Sequence, residues 1–260
     1  MIKLIASDID GTILPEGGKE LNPEIFDVIL ELEKHDIHFA VASGRQLQSE
    51  QWLFSPVKDH ISYIADNGAI CMHKGEVHVI TKFQQDLAIK IIKELEKRPN
   101  CNVTVSSPTT QYIKGNSEEF YTYLTKHLSY DVTIIDDFTK IDEPIIKIAY
   151  LDLVTNEASF KHFYDLFNKD IRVVTAGNRW VDFIPFDSNK GTALKFLLNQ
   201  MNLTPAEVIS FGDQQNDIEM LQFTKKSYAM AHAKPEIKKY ATDETESVTH
   251  TLRELLRTLA

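Results

Sequence analysis

The sequence predicts an α/β fold, a doubly wound parallel-sheet core interrupted by an inserted α+β segment, and three observations carry that prediction. Short apolar runs without helical period recur, and each ends in a loop rich in Asp, Ser, Asn or Gly. Helix-spaced apolar residues separate them at both ends of the chain, the strand–helix–strand rhythm of a parallel sheet. In the middle the rhythm breaks, and strand-like stretches crowd together with few helices between them.

Taken in order, Ile2–Ser7 is a buried parallel strand feeding the loop Asp8-Ile9-Asp10-Gly11-Thr12. Asn22, Pro23 and Glu24 start a helix on which Ile25, Phe26, Ile29 and Leu32 recur at helical spacing. Ile37–Ala42 is the second strand, ending in Ser43-Gly44-Arg45, and Ile61–Ala65 the third, ending in Asp66-Asn67-Gly68-Ala69. Lys74-Gly75-Glu76 is a turn between two short strands, and a helix follows over about Gln84–Lys97. Strand-like Asn102–Ser106, Val132–Ile135, Ile145–Leu151, Ile171–Thr175 and Trp180–Ile184 then interleave with helices near Glu118–Leu128 and Asn156–Phe167. From Lys190 the parallel rhythm returns: a helix to Met201, a strand Val208–Phe211, a helix from Asn216 and a last helix near Leu252–Leu259. The core is therefore expected to be discontinuous, 1–82 with 187–260, around an insert of 83–186.

A chain of 260 residues, 43% hydrophobic, can bury a large core and is not a disordered composition. Its 28 basic and 38 acidic residues give a formal charge of −10, which argues against nucleic acid as a partner. It does not argue against an anionic substrate, because a divalent cation and a lysine or two reverse the sign locally. Cys71 and Cys101 are too few for a disulfide framework and are expected to be buried thiols. No signal-peptide or membrane-spanning apolar run is found, so no membrane partner is expected and the cytoplasm is the expected compartment.

Asp8 and Asp10, two apart at a strand end, both face one side of the sheet edge. Two carboxylates there invite a divalent cation such as Mg2+, which keeps the first ionised as a nucleophile and leaves the second for proton transfer. Asp213, after the strand Val208–Phe211, supplies a further ligand, while Asp217, one helical turn on, could orient a metal-bound water or hold Lys190. Ser43 and Gly44 offer a hydroxyl and a backbone N–H suited to phosphoryl oxygens. Lys190 opens a helix, where the dipole repels cations, and that misfit suggests a partner of opposite charge. Each segment has an ordinary alternative as a turn, a helix cap or a surface lysine; their number and order decide between the readings.

The order Asp8-x-Asp10-Gly11-Thr12, Ser43-Gly44-Arg45, Lys190-Gly191 and Gly212-Asp213-x-x-Asn216-Asp217-x-x-Met220 resembles the haloacid dehalogenase superfamily. The insert and Asn67-Gly68-Ala69 resemble its Cof-like sugar-phosphatase branch with a type IIB cap. The resemblance implies a Rossmann-like core and a Mg2+-dependent phosphatase of small phosphorylated metabolites, acting through an aspartyl-phosphate on Asp8. It implies Asp10 as acid and base, Lys190 as the catalytic cation, and Asp8, the Asp10 carbonyl and Asp213 as the metal set. Phosphate contacts fall to the Ile9 N–H, Ser43, Gly44, Lys190 and Asn216, while Thr12, Arg45, Asn67 and Asp217 support the site or touch substrate. Residues 83–186 would close over the site and choose the leaving group. A phosphomutase and a non-catalytic phosphate-binding module are the rival readings, and a monomer or weak homo-oligomer is expected. Two departures stand out. Met230-Ala231-His232-Ala233 replaces the usual Met-Gly-Asn-Ala, and Pro185-Phe186-Asp187-Ser188-Asn189 lacks the glycine expected before Lys190.

Other patterns are read as structural. His35 with His38, and His73 with His78, are taken as surface histidines. Phe160, Phe163, Tyr164 and Phe167 are taken as the buried face of a helix, and Asp243-Glu244-Thr245-Glu246 as a solvated loop.

Overall fold

The computed structural model describes residues 1–15, 18, 20–98, 102–115, 117–152, 155–176 and 179–259. The chain opens with β1 (Leu4–Ser7), α1 (Glu24–Lys34), β2 (His38–Ala42), α2 (Leu47–Leu53), β3 (Ile61–Ala65) and the hairpin β4 (Ile70–His73) and β5 (Glu76–Val79). A second set follows: α3 (Gln85–Leu95), β6 (Asn102–Ser106), β7 (Gln111–Ile113), α4 (Glu118–Thr122), β8 (Val132–Ile134), β9 (Lys147–Leu151), α5 (Glu157–Phe167), β10 (Arg172–Ala176) and β11 (Trp180–Ile184). The chain then returns with α6 (Lys190–Met201), β12 (Val208–Gly212), α7 (Ile218–Phe223), β13 (Lys226–Met230), α8 (Pro235–Lys238), β14 (Asp243–Thr245) and α9 (Val248–Arg257).

These elements form two compact units, 1–80 with 189–260, and 81–188. In the first, the described strands make one sheet in the order β14-β13-β12-β1-β2-β3-β4-β5. Pairing is parallel from β14 to β3 and antiparallel from β3 through β5. Two consecutive runs leave β1 and β12 in opposite directions across the sheet, so the strand order reverses between these neighbours. That reversal is a topological switch point, where the crevice beyond the strand ends takes a ligand. Register fixes the geometry: Ser7 lies opposite Phe211, so the loops opening at Asp8 and at Asp213 emerge side by side. β1 is buried throughout, as a central parallel strand must be.

Local chemistry explains the boundaries. The Asn22 side chain accepts the Glu24 N–H at 3.0 Å at the start of α1, whose Ile25, Val28, Ile29 and Leu32 turn inward. Asn189 accepts the Thr192 N–H at 2.8 Å to begin α6, and Asn202, left-handed at φ 55°, ends it.

The second unit carries a sheet in the order β10-β11-β9-β6-β7-β8, antiparallel except for β7 with β8. Ala88, Ile91, Ile92 and Leu95 of α3 and Phe163 and Phe167 of α5 pack with Val103, Val105, Ile148 and Phe183 in its core. Tyr164 departs from the expected buried face: it is 46% exposed, one residue off the stripe that Phe163 and Phe167 define.

Three further expectations are corrected. Asp243–Thr245 is not a loop but β14, paired in parallel with β13; a three-residue edge strand with acidic side chains has no apolar alternation to betray it. His38 and His73 are not free surface histidines: each is only partly exposed and bonds to the buried Ser62 hydroxyl, at 2.8 and 2.7 Å. The helix expected from Asn216 begins as a 3₁₀ turn over Gln215–Asp217 and becomes α-helical at Ile218. Cys71 is buried as expected, while Cys101 lies outside the described residues.

Candidate active site

Asp8 follows β1, and its backbone N–H donates to the Phe211 carbonyl at 3.0 Å, which ties the loop to the end of β12. Its side chain is 6% exposed. Lys190, wholly buried at the first turn of α6, donates to Asp8 Oδ1 at 2.6 Å and to Asp217 Oδ1 at 2.5 Å. The misplaced helix-start lysine is thus explained by two carboxylates. Burial opposes its charge, but Asp217 and Asp8 overrule burial and hold the ammonium above its ordinary range.

Asp217 is fully committed. Its Oδ2 accepts the N–H groups of Asp213 and Gln214, both at 2.9 Å, and its Oδ1 holds Lys190. Gly212 lets this turn close, because a Cβ there would sit 2.5 Å from the Asp217 Cβ. Of the two functions the sequence offers Asp217, the structure shows the grip on Lys190.

Asp213 lies against the loop after β1. Thr12 Oγ1 donates to its Oδ1 at 3.2 Å, and a Cβ at Gly11 would fall 2.3 Å from its Oδ2. Gly11 stands at φ +85°, so both its backbone and its surroundings demand glycine. His232 Nε2 is 3.6 Å from the same Oδ2 and remains half exposed.

Asp8, Asp213 and Asp217 bring carboxylate oxygens within 4.8 Å of one another. Burial, reinforced by Asp217 and opposed by Lys190, lifts the Asp8 carboxyl to about 8, and burial lifts Asp213 as well. Among the described residues Asp8 Oδ2 is buried with no hydrogen-bond partner. An orphaned carboxylate oxygen beside a second carboxylate fits a hard divalent cation such as Mg2+, which takes oxygen donors. With Asp217 already occupied, Asp8 and Asp213 are the side chains free to hold it.

Asp10 lies differently. It is exposed, and Arg45 forks onto it with Nε to Oδ2 at 2.8 Å and an amino group to Oδ1 at 2.6 Å. Sequence reasoning placed Arg45 near the site without foreseeing this pair, because 35 residues separate the two and only the neighbouring strand ends unite them.

Ser43 is buried at the end of β2, where its Oγ accepts the Arg45 N–H at 3.1 Å and its carbonyl accepts the Asn67 N–H at 2.9 Å. The Asn67 amide approaches Gly44, whose hypothetical Cβ would meet it at 3.1 Å, and accepts from Asn216 Nδ2 at 3.1 Å. Ile9 is buried in the loop itself. The structure therefore gathers Asp8, Asp10, Ser43, Gly44, Arg45, Asn67, Lys190, Asp213, Asn216 and Asp217 around the ends of β1, β2, β3 and β12. Sequence reasoning missed Glu50, wholly buried on α2; a lone Glu in the helix Leu47–Leu53, itself unforeseen, gives no periodic signal.

Comparison with known proteins agrees with this arrangement. The family model described as haloacid dehalogenase-like hydrolase matches residues 5–251. The Escherichia coli 5-amino-6-(5-phospho-D-ribitylamino)uracil phosphatase YbjI is 26% identical over 235 residues, covering 89% of this chain and 86% of that protein. A solved structure from Eubacterium rectale superposes with a TM-score of 0.87 at 31% identity, covering 100% of this chain and 99% of that one. The subclass IIB sugar phosphatase BT4131 shares the fold, with a TM-score of 0.79 at 17% identity over 97% of this chain and 98% of its own.

Proposed function

The chain belongs to the haloacid dehalogenase-like hydrolase family, and from that premise we propose that it is a Mg2+-dependent phosphatase of small phosphate monoesters, with Asp8 as the nucleophile. The observation that carries the proposal is the state of the Asp8 carboxylate: Oδ1 is fixed by a buried ammonium while Oδ2 is left without a partner. A residue kept only for packing would not leave a buried carboxylate oxygen unsatisfied. The names of similar proteins support phosphate esters, and sugar phosphates among them, as the substrate class.

In this mechanism an Asp8 oxygen attacks phosphorus, the P–O bond to the leaving group breaks, and the departing alkoxide takes a proton from Asp10. Asp10 then removes a proton from water, whose oxygen attacks phosphorus and releases phosphate from Asp8. Lys190 holds Asp8 in line and offsets charge on the transferring group, and Asp217 holds Lys190. Ser43, the N–H groups of Gly44 and Ile9, and Asn216 receive the phosphoryl oxygens. A carboxylate forked by a guanidinium only accepts hydrogen bonds, so Asp10 must leave Arg45 before it can give a proton. A bound Mg2+, held by Asp8 and Asp213 with the Asp10 carbonyl as a further donor, would neutralise charge on the phosphoryl group. We assign the unit 81–188 the task of choosing the leaving group.

The test is phosphate release from a panel of monoesters with Mg2+, beside Asp8→Asn and an EDTA control. Release lost in both controls supports the reading. Activity that survives Asp8→Asn overturns it, and transfer of the phosphoryl group within a hexose phosphate, with no free phosphate, replaces it by a mutase.

A further inference from the structure

Glu50 sits on the inward face of α2 with Leu47 and Leu53, a position where an apolar side chain would be ordinary. It has no exposed surface, and among the described residues neither carboxylate oxygen has a hydrogen-bond partner. Burial and then the charge of Asp66 push its carboxyl well above the usual range; Lys190 on α6 and Arg45 beyond β2 pull the other way, and Asp8 adds repulsion. Tyr63 on β3 and Cys71 on β4 feel the same carboxyl from the sheet.

Asp66, also wholly buried, opens a run of three left-handed residues, with φ +49° at Asp66, +55° at Asn67 and +89° at Gly68. Two consecutive non-glycine residues in that region persist only where the surroundings over-determine them. The run is stitched to the neighbouring loop, because Asp66 N–H donates to the Arg45 carbonyl at 2.8 Å and Asn67 N–H to the Ser43 carbonyl at 2.9 Å. Gly68 presses on the start of α6, where a Cβ would lie 2.2 Å from the Asn189 carbonyl oxygen. The product of this conformation is the Asn67 amide, delivered to Gly44 and Asn216.

We propose that Glu50 is a buried neutral acid that donates its proton in a hydrogen bond to the Asp66 carboxylate, and that this acid–carboxylate pair locks the left-handed turn that positions Asn67 at the phosphate site. Glu50 and Asp66 are both wholly buried, one on α2 and the other at the end of β3, the strand α2 packs against. Two such carboxylates that repel each other cannot both be ionised cheaply, whereas one proton between them turns repulsion into a charge-assisted hydrogen bond. Glu50 is then a positioning residue: it touches no reacting atom and acts through Asp66 and Asn67. The second half of the proposal rests on the phosphatase reading; the protonation of Glu50 does not.

The experiment separates the two. Infrared difference spectra between the wild type and Glu50→Gln, taken at neutral pH, should show the carbonyl stretch of a neutral carboxylic acid present in the former and lost in the latter. No such band overturns the pair whatever the enzyme does. Calorimetric binding of inorganic phosphate with Mg2+ tests the positioning. Glu50→Gln, which keeps an N–H donor without charge, should match the wild type, and Glu50→Ala should bind about tenfold more weakly, a loss of about 1.4 kcal/mol. At alkaline pH the wild type should lose phosphate affinity relative to Glu50→Gln, which has no proton to give up. Equal weakening in Gln and Ala, or wild-type binding in Ala, overturns the positioning role. If Glu50→Ala does not fold, the band and the alkaline divergence of Glu50→Gln still decide. A wild type that binds no phosphate overturns the positioning half together with the phosphate site, and the band then reports on the pair alone.

Discussion

At the C-terminal ends of β1, β2, β3 and β12 the sheet buries Asp8, Lys190, Asp217 and Glu50; where β2 and β3 begin, it buries Ser62 beside the partly exposed His38 and His73, the latter at the end of β4. The strands are the same, yet the two ends handle polar groups in opposite ways. His38 and His73 both bond to Ser62, with ring centroids 5.5 Å apart, and burial and then the neighbouring His73 hold His38 neutral, its pKa lowered to about 4. Neutral partners satisfy one another there, which adds stability and asks for no ligand. The opposite end holds charges in excess of their partners, with Asp8 Oδ2 left over. Such an imbalance is costly to fold and persists where a ligand or cation is to complete it.

The largest expected effect tests that imbalance directly. Lys190→Met leaves Asp8 and Asp217 facing each other without a cation, and breaking a buried ion network in this way costs about 3–5 kcal/mol. Turnover should fall by about a thousand-fold or more, since the same ammonium holds the nucleophile. Urea unfolding and steady-state rates measure the two; full activity would move the catalytic cation elsewhere.

Next is Gly11→Ala. The new Cβ would overlap Asp213 Oδ2 and demand φ +85° of an alanine, so Asp213 must shift. Activity should drop by about ten- to a hundred-fold, and the Mg2+ concentration for half-maximal rate should rise with it. A lower rate with unchanged Mg2+ dependence would separate Asp213 from the cation.

How much of this was legible before the structure divides along the same line. The parallel core strands announced themselves as apolar runs ending in Asp or Ser, and the four charged segments could be placed because strand ends are where parallel sheets put chemistry. Pairing between distant side chains was not legible. Arg45 on Asp10 depends on which strands are neighbours, and a lone Glu in a seven-residue helix carries no pattern. β14 was lost for the same reason: three residues at a sheet edge, read as a charged loop, take their conformation from β13 and not from their own sequence. His38 and Ser62 lie on adjacent strands and His73 on the hairpin beyond, so their network follows from sheet order alone.

That network gives the third prediction. In the native state His38 takes up a proton only near about 4, whereas its ordinary value is 6.5, so between these values unfolding consumes a proton. Stability therefore falls as pH drops through that window, by up to about 3 kcal/mol in total from this residue. His38→Gln keeps a hydrogen-bonding group without the titration, and urea midpoints of the two proteins should diverge between pH 7 and pH 4.5 in the variant's favour. Parallel curves would mean that His38 gains its proton in the folded protein as easily as in the unfolded one.

The smallest effect belongs to His232, which lies 3.6 Å from Asp213 Oδ2 with 57% of its side chain exposed. A contact so open to water is screened, and exposed pairs contribute about 0–1 kcal/mol. His232→Asn should change the rate by less than about threefold, the equivalent of about 0.7 kcal/mol. Asp213 is governed chiefly by its burial, by the buried Asp217 carboxylate and by the hydrogen bond from the Thr12 hydroxyl, all of which the variant leaves intact. A larger change, accompanied by an altered preference among phosphate esters at constant Mg2+ dependence, would instead make this loop part of the substrate pocket. His232 would then act on the leaving group of the ester and not on the cation held at the charged end of the sheet.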